Sequence, residues 1–166
     1  MGKTQKNIAG FTLLELMAVV VIVAIFAAIA IPSYQAYVAR AHKSKVQSEM
    51  LKIAERLENY KGKQLSYAGY VPEHQTSTKG EINIPYDSGT DFDYQIKLVD
   101  INDSTIALED SAVGQGWKMV AFPNQLKGNA LRTSQYLLLD SRGGKCMTKD
   151  TLTVFSSSCT NGEDWR

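Results

Sequence analysis

Phe11-Thr12-Leu13-Leu14-Glu15-Leu16-Met17-Ala18-Val19-Val20 opens a run that stays apolar as far as Ile31, with Glu15 as its only charge. The 21 residues from Phe11 to Ile31, at a rise of about 1.5 Å each, are enough to cross a hydrocarbon core of ~30 Å. A carboxylate in such a segment is costly, roughly 2.5–3.5 kcal/mol at the bilayer centre and less toward the interface. A chain that needed only an anchor would be better served by leucine at this position. Glu15 is therefore a candidate for function.

An ordinary secretory signal is one competing reading, because Ala28-Ile29-Ala30 supplies a small-x-small cleavage site. Its apolar stretch is normally about 7–15 residues. Here the stretch is longer, contains Glu15 and runs directly into a further helical pattern. A permanent single-pass anchor carrying one domain fits better.

Periodicity continues past the apolar run. Val38, His42, Val46, Met50, Ile53, Leu57 and Tyr60 recur every three or four residues, as one stripe of an α-helix does. Lys43, Lys45, Gln47, Glu49, Lys52, Glu55, Arg56 and Glu58 lie between them as the wet face. Lys45 and Glu49 stand at attractive i,i+4 spacing, Lys52 and Arg56 at repulsive spacing, each worth only tenths of a kcal/mol. The spacing predicts one helix of about 50 residues ending near Gly62, apolar all round first and amphipathic afterwards. Pro32 sits at the junction, where a missing N–H and a clash with the carbonyl of Ala28 weaken an unkinked helix by about 3 kcal/mol.

Beyond Gly62 the period changes from 3.6 to 2. Pro72, Gly80, Pro85 and Gly89 punctuate an irregular connection as far as about Asp91. Phe92 to Leu98 alternates as a half-buried strand, Asn102-Asp103-Ser104 turns the chain, and Thr105 to Leu108 reads as a short second strand. Trp117 to Phe122 and Tyr136 to Asp140 are the next two, and Thr151 to Phe155 reads as a weaker fifth. Strands joined by turns without intervening helices imply an antiparallel sheet. Its inner face needs a cover, and the Val46–Tyr60 stripe supplies one. The fold class is α+β: a long N-terminal helix packed on an antiparallel sheet.

A short leader with Lys3 and Lys6, then Gly10, Phe11 and a glutamate at the fifth position after Gly10, resembles the cleavage and assembly signature of type IV prepilins. The resemblance is strong over residues 1–60 and architectural beyond them. It implies a leader, residues 1–10, removed between Gly10 and Phe11 by a membrane peptidase that also methylates the Phe11 amine. It further implies a membrane and filament-core helix over 11–31, its amphipathic half over 32–62, and a globular head over 63–166. Phe11, Glu15 and Pro32 are the assembly residues by the same resemblance, with Pro32 marking a place where the helix bends or melts. The implied partners are other pilins in a helical filament, the prepilin peptidase and methyltransferase, an inner-membrane assembly platform, and the lipid bilayer before assembly. The implied location is the bacterial inner membrane with the head in the periplasm, then the cell-surface pilus.

Cys146 and Cys159 would meet oxidising conditions in such a head, which favours a disulfide over two structural thiols. The bridge would close a loop of about 14 residues and contribute roughly 3 kcal/mol. Pilins carry a comparable C-terminal loop, so residues 146–159 become the expected variable contact surface. The run Tyr136 to Gly143 and the terminal Asp164-Trp165-Arg166 resemble minor pilins of the E class of gammaproteobacterial type IV pili. That class places its first cysteine before the matching strand, whereas both follow it here.

No catalytic constellation, metal set or cofactor motif is apparent, and the chain does not read as an enzyme. His42 lies on the helix stripe and reads as a packed or border histidine. His74 has no neighbouring ligand set. Asp87, Asp91 and Asp93 lack the ordered oxygen loop of a calcium site and read as a solvated acidic turn. Arg142, Lys145 and Lys149 flank the cysteine loop as candidate DNA-phosphate contacts, but Asp140 and Asp150 stand among them and a solvated face is preferred. The 166 residues suit one domain on a stalk, and 18 basic against 17 acidic residues give no global pull toward nucleic acid.

Three readings follow: a minor pilin that helps initiate or build a retractable fibre for twitching, adhesion or DNA uptake; a major pilin; or a type II secretion pseudopilin. A head that recognises DNA or a host surface is the rival from a different class. N-terminal sequencing of the mature protein is expected to begin at N-methyl-Phe11, and Gly10→Val is expected to block processing. A mature terminus at Ile31 would establish the secretory-signal reading instead.

Overall fold

The computed structural model describes residues 11–165. Leader residues Lys3, Lys6 and Gly10, and Arg166 of the terminal motif, lie outside the described residues. Two compact units divide the chain, one ending at Ala36 and one beginning at Tyr37. The first helix, α1 (Leu13–Gln64), runs through both, with Pro32 inside it.

The helix continues past Gly62 to Gln64, with Lys61 and Lys63 at the end of the helix dipole that favours cations. It stops at Leu65, whose left-handed backbone (φ 61°) turns the chain while its N–H donates to the Lys61 carbonyl at 2.7 Å.

In the second unit the sheet is a five-stranded antiparallel meander: β1 (Glu81–Ile84), β2 (Tyr94–Asp100), β3 (Trp117–Pro123), β4 (Tyr136–Asp140) and β5 (Lys145–Thr148), adjacent in that order. A four-residue helix α2 (Asn129–Arg132) lies between β3 and β4. Strand β2 shows the alternation its sequence predicts, with Tyr94, Ile96 and Leu98 buried. These face Val46, Met50, Ile53 and Leu57 of α1, in one core with Ile82, Ile84, Met119, Ala121, Leu137 and Met147. Fully burying a Leu, Ile or Met side chain is worth about 1.5–3 kcal/mol, so this stripe outweighs any surface pair on the helix.

Polar ties fix the register of helix on sheet. His42 Nδ1 lies 3.0 Å from Asp93, Arg56 lies 2.7 Å from Glu73, and Lys43 Nζ donates to Gln135 Oε1 at 2.9 Å. Glu49 accepts from the Tyr86 hydroxyl and from Lys52 at 2.9 Å, so its partner is Lys52 rather than Lys45. Burial opposes ionisation of Glu49, but these hydrogen bonds and the charges of Lys52 and Arg56 prevail and hold its carboxyl below the usual range. Burial, with help from Glu49, pushes the Tyr86 phenol up in turn. The Tyr94 hydroxyl donates to the Gln135 carbonyl at 2.9 Å, and burial raises its pKa to about 12.

Several sequence expectations are corrected. Thr105–Leu108 is not a strand: only Ala107 bridges Val99, and Leu108–Asp110 forms a single 3-10 turn. Asp103 caps this stretch locally through the N–H and hydroxyl of Thr105, so the backbone closes turns instead of a ladder. Thr151–Phe155 is also not a strand; Thr153 and Ser156 close a tight turn there. The fifth strand is Lys145–Thr148, and the connection before Asp91 contains β1. The strand expected from Phe92 begins at Tyr94 and reaches Asp100.

Gly114 joins the helix exit to the 108–116 segment. It has φ +56°, and a Cβ there would lie 2.0 Å from the backbone nitrogen of Ala68. Its carbonyl accepts from the Tyr67 N–H at 2.9 Å. Only glycine permits that approach.

Candidate functional site

The start of α1 is built by Thr12. Its hydroxyl oxygen accepts from the Glu15 N–H at 3.3 Å, and its carbonyl from the Leu16 N–H at 3.2 Å. Thr12 is thus the N-cap and Glu15 the third helical residue, the Thr-x-x-Glu spacing of a capping box. Sequence reasoning missed this role of Thr12, although the spacing was legible. Glu15 itself is exposed, with its charge at the favourable end of the helix dipole.

Around it the helix is apolar on every side and uncovered. Phe11 is 78 % exposed, Leu14 79 % and Phe26 68 %. Among the described residues α1 alone is long and apolar enough to cross a membrane, by length and composition. A helix apolar all round needs lipid or other helices about it. Phe11, Glu15 and Pro32 all lie in the first unit, Glu15 within one turn of the helix start and Pro32 in unbroken helix.

The second candidate region is the C-terminal loop. Cys146 and Cys159 are joined by a disulfide with Cα atoms 6.0 Å apart. Cross-strand register aligns Val120, Leu138 and Cys146 on the sheet face away from α1. Leu152 of the loop completes that second cluster, with Phe122, Tyr136 and both cysteines packed against it. The loop is therefore a cover for the outer face. Lys118, only 7 % exposed, donates to the Val154 carbonyl at 3.1 Å and holds the loop from below. The Trp165 indole N–H donates to the Cys146 carbonyl at 2.8 Å. Phe155, 67 % exposed, is left pointing outward.

Other sequence candidates are placed plainly. Arg142 donates to Asn102 Oδ1 at 2.8 Å, while Lys145 and Lys149 are exposed and make no carboxylate ion pair among the described residues. Asp140 is occupied by the N–H groups of Arg142 and Gly144, and Asp150 faces Asn161. Asp91 and Asp93 share Lys127, each at 2.9 Å, and these carboxylates raise the lysine's pKa. Asp87 and His74 approach to 3.9 Å, and the His74 ring stacks on Tyr86. Among the described residues no three His, Cys, Asp or Glu side chains are placed to share a metal ion.

Comparison with known proteins decides the family. A family model described as the type IV minor pilin ComP, DNA uptake sequence receptor, matches residues 32–118, and one described as the prokaryotic N-terminal methylation motif matches residues 5–31. The chain belongs to the type IV pilin family. A fimbrial protein of Pseudomonas aeruginosa is 38 % identical over 112 residues, 64 % of this chain and 67 % of the relative. The type IV major pilin protein PilE1 of Neisseria gonorrhoeae is 43 % identical over 77 residues, 46 % of this chain and 42 % of the relative. The type IV major fimbrial protein FimA of Dichelobacter nodosus is 65 % identical over 40 residues, 24 % of this chain, so that the match spans only 26 % of FimA. No solved structure matches the pilin significantly.

Because the bridge seals a cover over Val120, Leu138 and Leu152, its loss should loosen the loop as well as the chain ends. Non-reducing peptide mapping is expected to recover Cys146 and Cys159 in one linked peptide. Cys146→Ser is expected to lower the stability of the head by about 2–4 kcal/mol in denaturant titration. Free alkylation of both thiols in native material would contradict the pairing.

Proposed function

We propose that this pilin is a structural subunit of a type IV pilus, working as a minor pilin that helps initiate or build the fibre. The observation that carries the reading is Glu15 at the head of an uncovered apolar helix, in a chain whose residues 5–31 match the N-terminal methylation motif. In this reading the leader ends at Gly10, Phe11 carries the methylated amine, and the chain waits in the inner membrane with its head in the periplasm. Residues 11–31 enter the filament core, Pro32 relieves the helix where neighbours pack, and residues 63–166 with the amphipathic half over 32–62 form the exposed body. The peptidase, the assembly platform and fellow pilins are its partners.

The chemistry of assembly follows from two charges. The Phe11 amine is a cation in apolar surroundings and Glu15 an anion four residues along. Leaving either alone there costs several kcal/mol. A backbone amine at the helix start reaches a side chain one turn on poorly, so Glu15 of an incoming subunit pairs with the amine of a neighbour. Helix capping by the Thr12–Glu15 pair is the competing role, and glutamine separates the two. Glu15→Gln keeps a capping partner but loses the charge. Both Glu15→Leu and Glu15→Gln are expected to be processed normally, accumulate in the membrane and enter sheared fibres several-fold less than wild type. Wild-type incorporation of Glu15→Gln would refute charge pairing and leave capping.

A second reading is that the head captures DNA. The matching family is described as a DNA uptake sequence receptor. Lys145 and Lys149 are exposed cations without carboxylate partners among the described residues, the flanking Asp140 and Asp150 being bonded by the Arg142 N–H and the Asn161 amide. Phosphate contacts of this kind give salt-dependent affinity. In a mobility-shift titration with duplex DNA, the double variant Lys145→Ala, Lys149→Ala is expected to bind at least tenfold more weakly. Equal binding by wild type and variant would move any DNA contact elsewhere.

A further inference from the structure

Beside β1 the head carries a groove of about 560 Å³, within the range of small-ligand sites. Its floor is a pair of amides in cross-strand register, Asn83 on β1 and Gln95 on β2. Asn83 is 7 % exposed; its Nδ2 donates to the Gly89 carbonyl at 2.7 Å, and its Oδ1 accepts from Gln95 Nε2 at 3.1 Å. This fixes the Gln95 amide while leaving its carbonyl oxygen and second N–H without a partner among the described residues. Thr90 and Ser88 add hydroxyls to the wall, and Phe92 and His74 add rings. The His74 ring is held by Tyr86, with centroids 4.2 Å apart.

The backbone of the rim is also held in place. His74 and Asp87 both adopt left-handed conformations, φ 61° and 57°. Non-glycine residues occupy that region only where surrounding structure maintains them. The 74–80 segment is locked by the Gln75 side chain accepting from the Gly80 N–H at 2.8 Å and by the Thr76 N–H donating to the Glu81 carbonyl at 2.8 Å.

Lining chemistry selects the ligand class. Glu81 and Asp87 border the groove, and neither lysine nor arginine lines it. Lys97 is taken up by Glu81 at 2.7 Å, so a polyanion such as a nucleic-acid backbone would meet the Asp87 carboxylate and no lysine or arginine among the lining residues. A purely apolar ligand would strip water from amides and hydroxyls and return no hydrogen bonds, which disfavours it. A neutral polyhydroxylated molecule satisfies both constraints, its adjacent hydroxyls meeting a planar amide and its C–H face lying on a ring. We propose that this groove binds a neutral glycan. The site is separate from the start of α1 and from Lys145 and Lys149, and it does not depend on either reading of them.

Saturation-transfer NMR on the full-length chain, held in a zwitterionic detergent without a sugar headgroup, tests the proposal. The probes are neutral hexose and N-acetylhexosamine oligosaccharides of two to six units, with a heparin tetrasaccharide and a DNA oligonucleotide as anionic counterparts. Transfer to at least one neutral oligosaccharide is expected, reduced at least fivefold by Gln95→Leu. Thr90→Val, on the loop, gives a second reading of the same wall should Gln95→Leu fail to fold. Transfer to none of the neutral probes would overturn the assignment, as would stronger transfer to the anionic ones through this groove. Neutral-probe transfer unchanged in the folded variants would overturn it too.

Discussion

The burial of one helical stripe, Val46, Met50, Ile53 and Leu57, against the inner face of the sheet is the interaction on which the second unit rests. All four side chains are almost fully excluded from solvent, and they meet residues from all five strands. The same helix has no such face in its first part, which ends at Ile31. From Leu13 to Ile31 it is apolar in every direction except at Glu15, so a single secondary-structure element is written for two solvents. The change is made by composition alone, from a continuous apolar run to an interleaved pattern of charges.

Local pattern made the helix, its buried stripe and three of the strands legible, β2 by its alternation. Trp117–Pro123 and Tyr136–Asp140 were readable because they are largely apolar, Lys118 and Asp140 apart, and are bounded by Gly114, Gly116 and Ser141-Arg142-Gly143-Gly144. Strand β1 was hidden because it is only four residues long and lies among turn formers. Thr105–Leu108 and Thr151–Phe155 carry β-forming residues, but Asp103 and Ser156 capture the nearby backbone groups that a ladder would need. The true fifth strand was obscured by its cysteine, whose pairing partner draws the eye to a loop.

At the candidate sites the division is similar. Glu15 stood out because a charge in an apolar run is costly in any fold. The capping role of Thr12 was written in the sequence as a four-residue spacing, yet the apolar context concealed it. The polar groove at β1 was not legible at all: Asn83 and Gln95 are twelve residues apart and meet only through strand register. Nor could spacing reveal that the cysteine loop closes the far side of the sheet, since Leu152 meets Val120 and Lys118 meets the Val154 carbonyl only through the tertiary fold.

Both margins of the sheet are occupied. Along β5, Met147 exchanges two hydrogen bonds of 2.9 Å with Glu163, and the carbonyl of Cys146 is taken by Trp165. Along β1, Gln75 bridges Ile82 and Thr76 donates to Glu81. An unprotected edge strand is a template for pairing with another chain. Heads crowded together at high local density therefore find few backbone groups on which to nucleate amyloid-like stacking or strand exchange. A second copy of the head meeting either margin is thereby turned from strand pairing toward side-chain contact.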